Sequence, residues 1–161
     1  MAFQDQRDYI AALEREGEVQ RIEKEVDWDL ELGAIIRRSY DLKAPAPFFQ
    51  KIKGYSPEYR VLGAPLGASA RPGRLHARLA ISLGMKPDSS LSDIMEEYIK
   101  RKRNPLKPML VSSGPCKEQI HVGSEVDLEE FPVPILHQGD GGRYIGTWHL
   151  VATKDPDSDW V

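Results

Sequence analysis

Apolar positions recur at two different periods through the first hundred residues, and the switches between them outline the elements. Over residues 5–16, Tyr9, Ile10 and Leu13 share one face of a predicted helix, and Gly17 is placed to end it. In 18–26 the period falls to two. Ile22, Lys24 and Val26 alternate against charged neighbours, which predicts an exposed edge strand. Leu32, Ile35 and Ile36 return to helical spacing, with Asp27 or Asp29 as the cap and an end near Tyr40. Residues 46–52 predict a short aromatic strand beside two prolines, closed by Lys53-Gly54, and 60–66 predict another, apolar at Val61, Leu62 and Ala64. A loop of small residues at 67–73 leads to a predicted helix over 74–83, with Leu75 and Leu79 one turn apart and Gly84 as its stop. Ser90 with Asp93 approximates a capping box for a last helix, whose expected buried face is Leu91, Ile94, Met95, Tyr98 and Ile99. The order helix, strand, helix, strand, strand, helix, helix defines a small α/β layer domain.

Lys100-Arg101-Lys102-Arg103 and the following Asn104-Pro105 end that helix, because cations complement its C-terminal dipole and Pro cannot continue it. This divides the chain into an α/β domain over 1–103, a linker over 104–108 and a second unit over 109–161. In the second unit, short runs at 109–111, 118–122, 132–135 and 144–153 alternate with Gly, Pro and Asp turns. That texture predicts the opening strands of a β-barrel or sandwich. Its centre is Gln138-Gly139-Asp140-Gly141-Gly142-Arg143-Tyr144-Ile145-Gly146-Thr147-Trp148-His149-Leu150, a glycine-rich turn running straight into strand formers. The sequence stops at Trp160-Val161 inside this apolar texture, which points to an incomplete barrel with an open edge.

Composition changes little in this picture. The 161 residues carry a net charge of −3, which gives no bulk attraction to nucleic acid or membrane. No apolar run approaches the roughly 18 residues of a membrane span, and the N-terminus lacks a signal pattern, so a cytoplasmic protein is expected. The one cysteine, Cys116, excludes an internal disulfide, fits a reducing compartment and reads as structural, since no base accompanies it.

The candidate chemistry is sparse. The Lys100–Arg103 cluster lacks interleaved aromatics and reads as a solvated helix end rather than a nucleic-acid contact. Asp155-Pro156-Asp157-Ser158-Asp159 has the alternating acids of a calcium loop but Trp160 where that loop needs Gly, so it reads as a turn. The four histidines, His76, His121, His137 and His149, show no ligand spacing. His149 shares a strand face with Ile145 and Thr147. If that face lines a cavity, the cavity carries a hydroxyl and an imidazole; if it faces solvent, these are ordinary surface residues. Gly139-Asp140-Gly141-Gly142 opens a strand rather than a helix, so it is neither a dinucleotide fingerprint nor a P-loop.

Several stretches together resemble the UbiD family of decarboxylases. Residues 3–17, Phe3-Gln4-Asp5 through Glu16-Gly17, are similar to the family's first helix. Pro47-Phe48-Phe49-Gln50-Lys51-Ile52-Lys53-Gly54-Tyr55 is similar to its aromatic strand and Gly-Tyr step. Asp127-Leu128-Glu129-Glu130-Phe131-Pro132-Val133-Pro134, Gly139-Asp140-Gly141-Gly142-Arg143-Tyr144-Ile145 and Lys154-Asp155-Pro156 are similar to the approach to its flavin domain. The resemblance implies the N-terminal portion of such an enzyme: an α/β domain followed by the first strands of a split β-barrel that binds prenylated FMN. It implies reversible, non-oxidative decarboxylation of an aromatic or α,β-unsaturated carboxylic acid. In the full-length enzyme it further implies a divalent metal (manganese or magnesium), potassium, and homo-oligomer formation, with no nucleic-acid or membrane partner. The family's metal ligands and acid–base residues fall beyond this sequence, so no catalytic or metal-binding residue carries over, and the piece alone is expected to be silent. The strand after the Gly-Asp-Gly-Gly turn borders the cofactor in the family. The matching positions, Ile145 and Thr147, are the expected cofactor-binding residues, with Thr147 the better placed for a polar contact. The competing reading is a non-catalytic binding or regulatory module, or the small subunit of a split decarboxylase.

Overall fold

The structure, a computed structural model, describes residues 3–146, 151 and 153–160. Helix α1 (Gln6–Arg15) starts where the Asp5 carboxylate accepts the Asp8 N–H at 2.9 Å, and its chain reverses through Gly17 at φ +67°. A side chain there would be strained, and its Cβ would meet the Arg71 guanidinium at 2.5 Å. Strand β1 (Val19–Ile22) lies parallel to β2 (Ala46–Phe49), with Val19 opposite Ala46 and Ile22 opposite Phe49. The connection between them is helix α2 (Glu31–Leu42), as a parallel pair requires. A two-residue β3 (Val61–Leu62) pairs antiparallel with β2, giving the order β1-β2-β3 with β1 at an edge, as its charged alternation predicts.

All four residues of β2 are buried because apolar side chains cover it from both sides. On one side Phe49 and Ile52 cluster with Val26 and Leu32, with Trp28 and Tyr55 packed against them. In a second cluster, Ala12 and Leu13 of α1 pack on Ile81, with Phe3, Tyr9 and Val19 around them. Between α1 and the loop of small residues runs a buried polar link. The Arg78 side chain is 1% exposed. It donates to the carbonyls of Gly67 at 2.7 Å, Ala44 at 3.0 Å and Ala64 at 3.3 Å, and to that of Ala68. Its ion partner is Glu18 at 3.7 Å, which also accepts from the Ser69 hydroxyl at 2.8 Å. A tight loop turns carbonyls inward without matching N–H groups, and a guanidinium with its five donors satisfies them at one point.

Three expectations are corrected. Helix α3 is shorter than predicted (Ala77–Ser82). It buries Ala77, Arg78, Ala80 and Ile81, while Leu75 falls outside it at 44% exposure. Helix α4 (Leu91–Arg103) has the predicted capping box, but Ile94 is its one buried residue; Leu91, Met95, Tyr98 and Ile99 are exposed. Neither Asp27 nor Asp29 caps α2. The cap position is Leu30, at φ +65°, because the Asp27 carboxylate accepts the Asp29 N–H and pairs with Lys53.

The largest departure concerns the expected opening strands of a split barrel. Among the described residues no strand follows β3. The runs at 109–111, 118–122 and 132–135 and the described part of 144–153 are irregular chain and bends, with 3-10 turns at Pro115–Lys117, Gly123–Glu125 and Leu128–Glu130. A strand is defined by pairing. Apart from one bridge between Ile135 and Asp29, these runs find no neighbouring edge, and Leu106, Met109 and Leu110 stand 83% exposed or more. Among the described residues no helix is long and apolar enough to cross a membrane.

Candidate functional site

Residues 128–146 lie against the α/β unit along one seam. The Ile135 N–H donates to Trp28 O at 3.1 Å, and its carbonyl accepts the Leu30 N–H at 3.0 Å. Gly33 makes this approach feasible, since a Cβ there would stand 2.4 Å from the Leu136 carbonyl oxygen. Farther along, the Tyr55 hydroxyl donates to the Glu129 carbonyl at 2.9 Å and the Tyr59 hydroxyl to the Glu130 carboxylate at 2.8 Å. That ion-dipole contact is the main cause of the raised Tyr59 pKa. The Tyr59 ring also meets Tyr55 and Phe131 edge-on, at centroid distances of 6.3 and 6.2 Å.

Arg143, directly after the glycine-rich turn, closes the seam. Its guanidinium lies over the Trp28 ring at 4.4 Å. It donates to Val133 O at 2.7 Å, to Phe131 O at 2.8 Å and to the Tyr55 hydroxyl.

Beside this clasp an open hollow of about 420 Å3 is bounded by Leu128, Val133, Ile135 and Ile145, with Glu129, Gly142 and Arg143 completing its lining. Ile145 is 64% exposed, so most of its side chain is available to a ligand or to another segment. Four branched apolar side chains give the hollow a largely apolar lining, as ligand clefts commonly have. Among the described residues no three His, Cys, Asp or Glu gather to hold a metal ion.

The predicted site residues fare unequally. Ile145 lines the hollow; Thr147 and His149 lie outside the described residues. His121 contacts its own turn at Glu125 O, 3.1 Å away, and the His137 N–H donates to Asp140 at 3.0 Å, closing the glycine-rich turn on itself. The Asp155 carboxylate accepts the Asp157 N–H at 2.7 Å, consistent with a turn. The sequence reading missed Trp28, Tyr55 and Arg143. The Gly-Tyr step and an arginine adjoining a glycine-rich turn mark two of them, but nothing local in the sequence says that they meet.

The fold is thus a small mixed α/β unit with a second segment docked along one seam beside an apolar hollow. Comparison with known proteins is more specific. Residues 10–98 match the 3-octaprenyl-4-hydroxybenzoate carboxy-lyase N-terminal domain, and residues 109–161 match the Rift-related domain of the same carboxy-lyase. The chain belongs to the UbiD family. It is 42% identical over 157 residues to the pyrrole-2-carboxylic acid decarboxylase of Pseudomonas aeruginosa, covering 97% of this chain and 32% of the relative. To ferulic acid decarboxylase 1 of Saccharomyces cerevisiae it is 35% identical, covering 96% and 32%. An evolved dimeric form of the UbiD-class enzyme HmfF from Pelotomaculum thermopropionicum, solved in complex with prFMN, superposes with a TM-score of 0.65. That pair is 26% identical, covering 95% of this chain and 33% of the other. The chain therefore spans about a third of the length of the relatives it matches.

Proposed function

We propose that this chain forms the N-terminal, cofactor-bordering part of a reversible, non-oxidative decarboxylase of an aromatic or α,β-unsaturated carboxylic acid that works with prenylated FMN. One observation carries the reading: both family domains match in order, and the identity to pyrrole-2-carboxylic acid decarboxylase extends over 97% of the chain. We divide it into an α/β domain over 1–103, a linker over 104–108 and the start of the flavin-binding unit over 109–161. Ile145 would border the flavin through apolar contact and Thr147 through its hydroxyl. Leu128, Val133, Ile135 and Ile145 would keep water from one face of the ring. When bound, the cofactor supplies the electron sink on which loss of CO2 depends. The divalent metal and potassium of the proposal are assigned to no residue of this chain. Homo-oligomer formation belongs to the same proposal.

The test uses the complete gene product, purified from cells that make prenylated FMN and assayed with pyrrole-2-carboxylate and ferulate. A flavin absorbance band and CO2 release from at least one acid are expected; absence of both overturns the proposal. Thr147→Ala should lower flavin occupancy, and undiminished occupancy would remove Thr147 from the site. The 161 residues alone are expected to release no CO2.

A further inference from the structure

The hollow is held in shape by a side chain that does not line it. The Tyr55 hydroxyl accepts from the Arg143 guanidinium and donates to the Glu129 carbonyl at 2.9 Å. Arg143 and Glu129 both line the hollow. The same guanidinium grips the carbonyl of a third lining residue, Val133, at 2.7 Å, and Ile145 follows Arg143 by only two residues. The guanidinium also lies over the Trp28 ring, 4.4 Å from its centre. One phenol of the α/β unit is thus bonded to two residues of the lining. A charge-assisted bond of this kind is stronger than a neutral one, and a site loosened by about an ångström loses its fit to a rigid ligand.

We propose that Tyr55 is a positioning residue for the flavin-bordering hollow, holding two of its lining residues, Arg143 and Glu129, in fixed relation to each other. Cofactor affinity then depends on a side chain of the α/β unit that never touches the cofactor. The inference rests on the functional reading above.

The experiment compares Tyr55→Phe with Tyr59→Phe in the complete gene product, using FMN as the titrant. Tyr59 belongs to the same aromatic cluster, but its hydroxyl bonds to the Glu130 carboxylate, which is not part of the hollow. A merely structural role for Tyr55 predicts that both variants behave alike. Tyr55→Phe is expected to weaken FMN binding about tenfold, and Tyr59→Phe by less than about twofold at a similar loss of Tm. Equal shifts in the two variants, or none in Tyr55→Phe while the parent binds FMN, overturn the inference and leave the functional reading standing. A parent that binds no FMN overturns both. Should Tyr55→Phe fail to fold, Arg143→Lys tests the same link, because a single ammonium cannot span the Val133 carbonyl, met by Nε, and the phenol, met by Nη2. The same tenfold weakening is expected from it, and an unchanged affinity overturns the inference.

Discussion

Burying an arginine costs several kcal/mol unless its charge and its donors are met, and Arg78 has both met. Burial pulls its pKa down, the Glu18 carboxylate opposes that pull, and the guanidinium stays the donor that the 64–68 loop needs. Arg78→Met should therefore cost about 3–5 kcal/mol in urea unfolding, since it strands Glu18 and the inward carbonyls together. A loss below about 1 kcal/mol would mean that water replaces the guanidinium. Tyr9 reports the same neighbourhood. Its hydroxyl donates to Pro65 O at 2.7 Å, and burial, with Glu18 adding, pushes its pKa from 10.0 up to about 12 against the pull of Arg78. A folded value above the unfolded one favours the protonated phenol. The stabilisation is complete below pH 10.0 and lost as pH rises toward about 12. Tm measured across that window should fall less steeply in Tyr9→Phe than in the parent.

At the scale of elements, α4 shows how little a helical pattern says about which face is covered. Ser90 and Asp93 form the reciprocal cap that their spacing predicts, and the basic last turn suits the helix dipole. Yet Ile94 is 1% exposed while Met95, beside it in the predicted stripe, is 48% exposed. Ile94→Ala should destabilise by about 2–4 kcal/mol and Met95→Ala by less than about 1 kcal/mol, read by thermal unfolding. Comparable losses would show that a covering surface lies over Met95 in solution. The β elements make the complementary point. Alternation located β1, and short aromatic or apolar runs located β2 and β3, where helix α2 and the turns bring edges together. The short runs predicted as strands at 109–111, 118–122 and 132–135 have no such edge, and the bridge at Ile135 is all their pairing among the described residues.

For the whole molecule, the decisive contact is the seam between the α/β unit and residues 128–146. Gly33 lies within α2, where Ala would raise helix propensity by about 1 kcal/mol. The seam reverses that sign, because a Cβ would meet the Leu136 backbone at 2.4 Å and 2.8 Å. Gly33→Ala should thus be destabilising, with faster amide exchange at Leu30 and Ile135, whose hydrogen bonds close the bridge. A stabilised variant with unchanged exchange would show that the seam is not formed in solution.

The sequence by itself determined the first unit's order of elements, the cap at Ser90, the edge position of β1 and, through the 3–17, 47–55 and 127–145 stretches, the family. These are local properties: periodicity, capping chemistry and turn residues act within a few positions of one another. Only the tertiary structure decided that Arg78 is buried, that Leu30 rather than an aspartate opens α2, and that Trp28, Tyr55 and Arg143 converge beside Ile145. Each of those depends on which distant groups arrive to satisfy a carbonyl, crowd a helix face or stack on a ring. Residues 88 positions apart, as Tyr55 and Arg143 are, leave no periodic trace of their meeting.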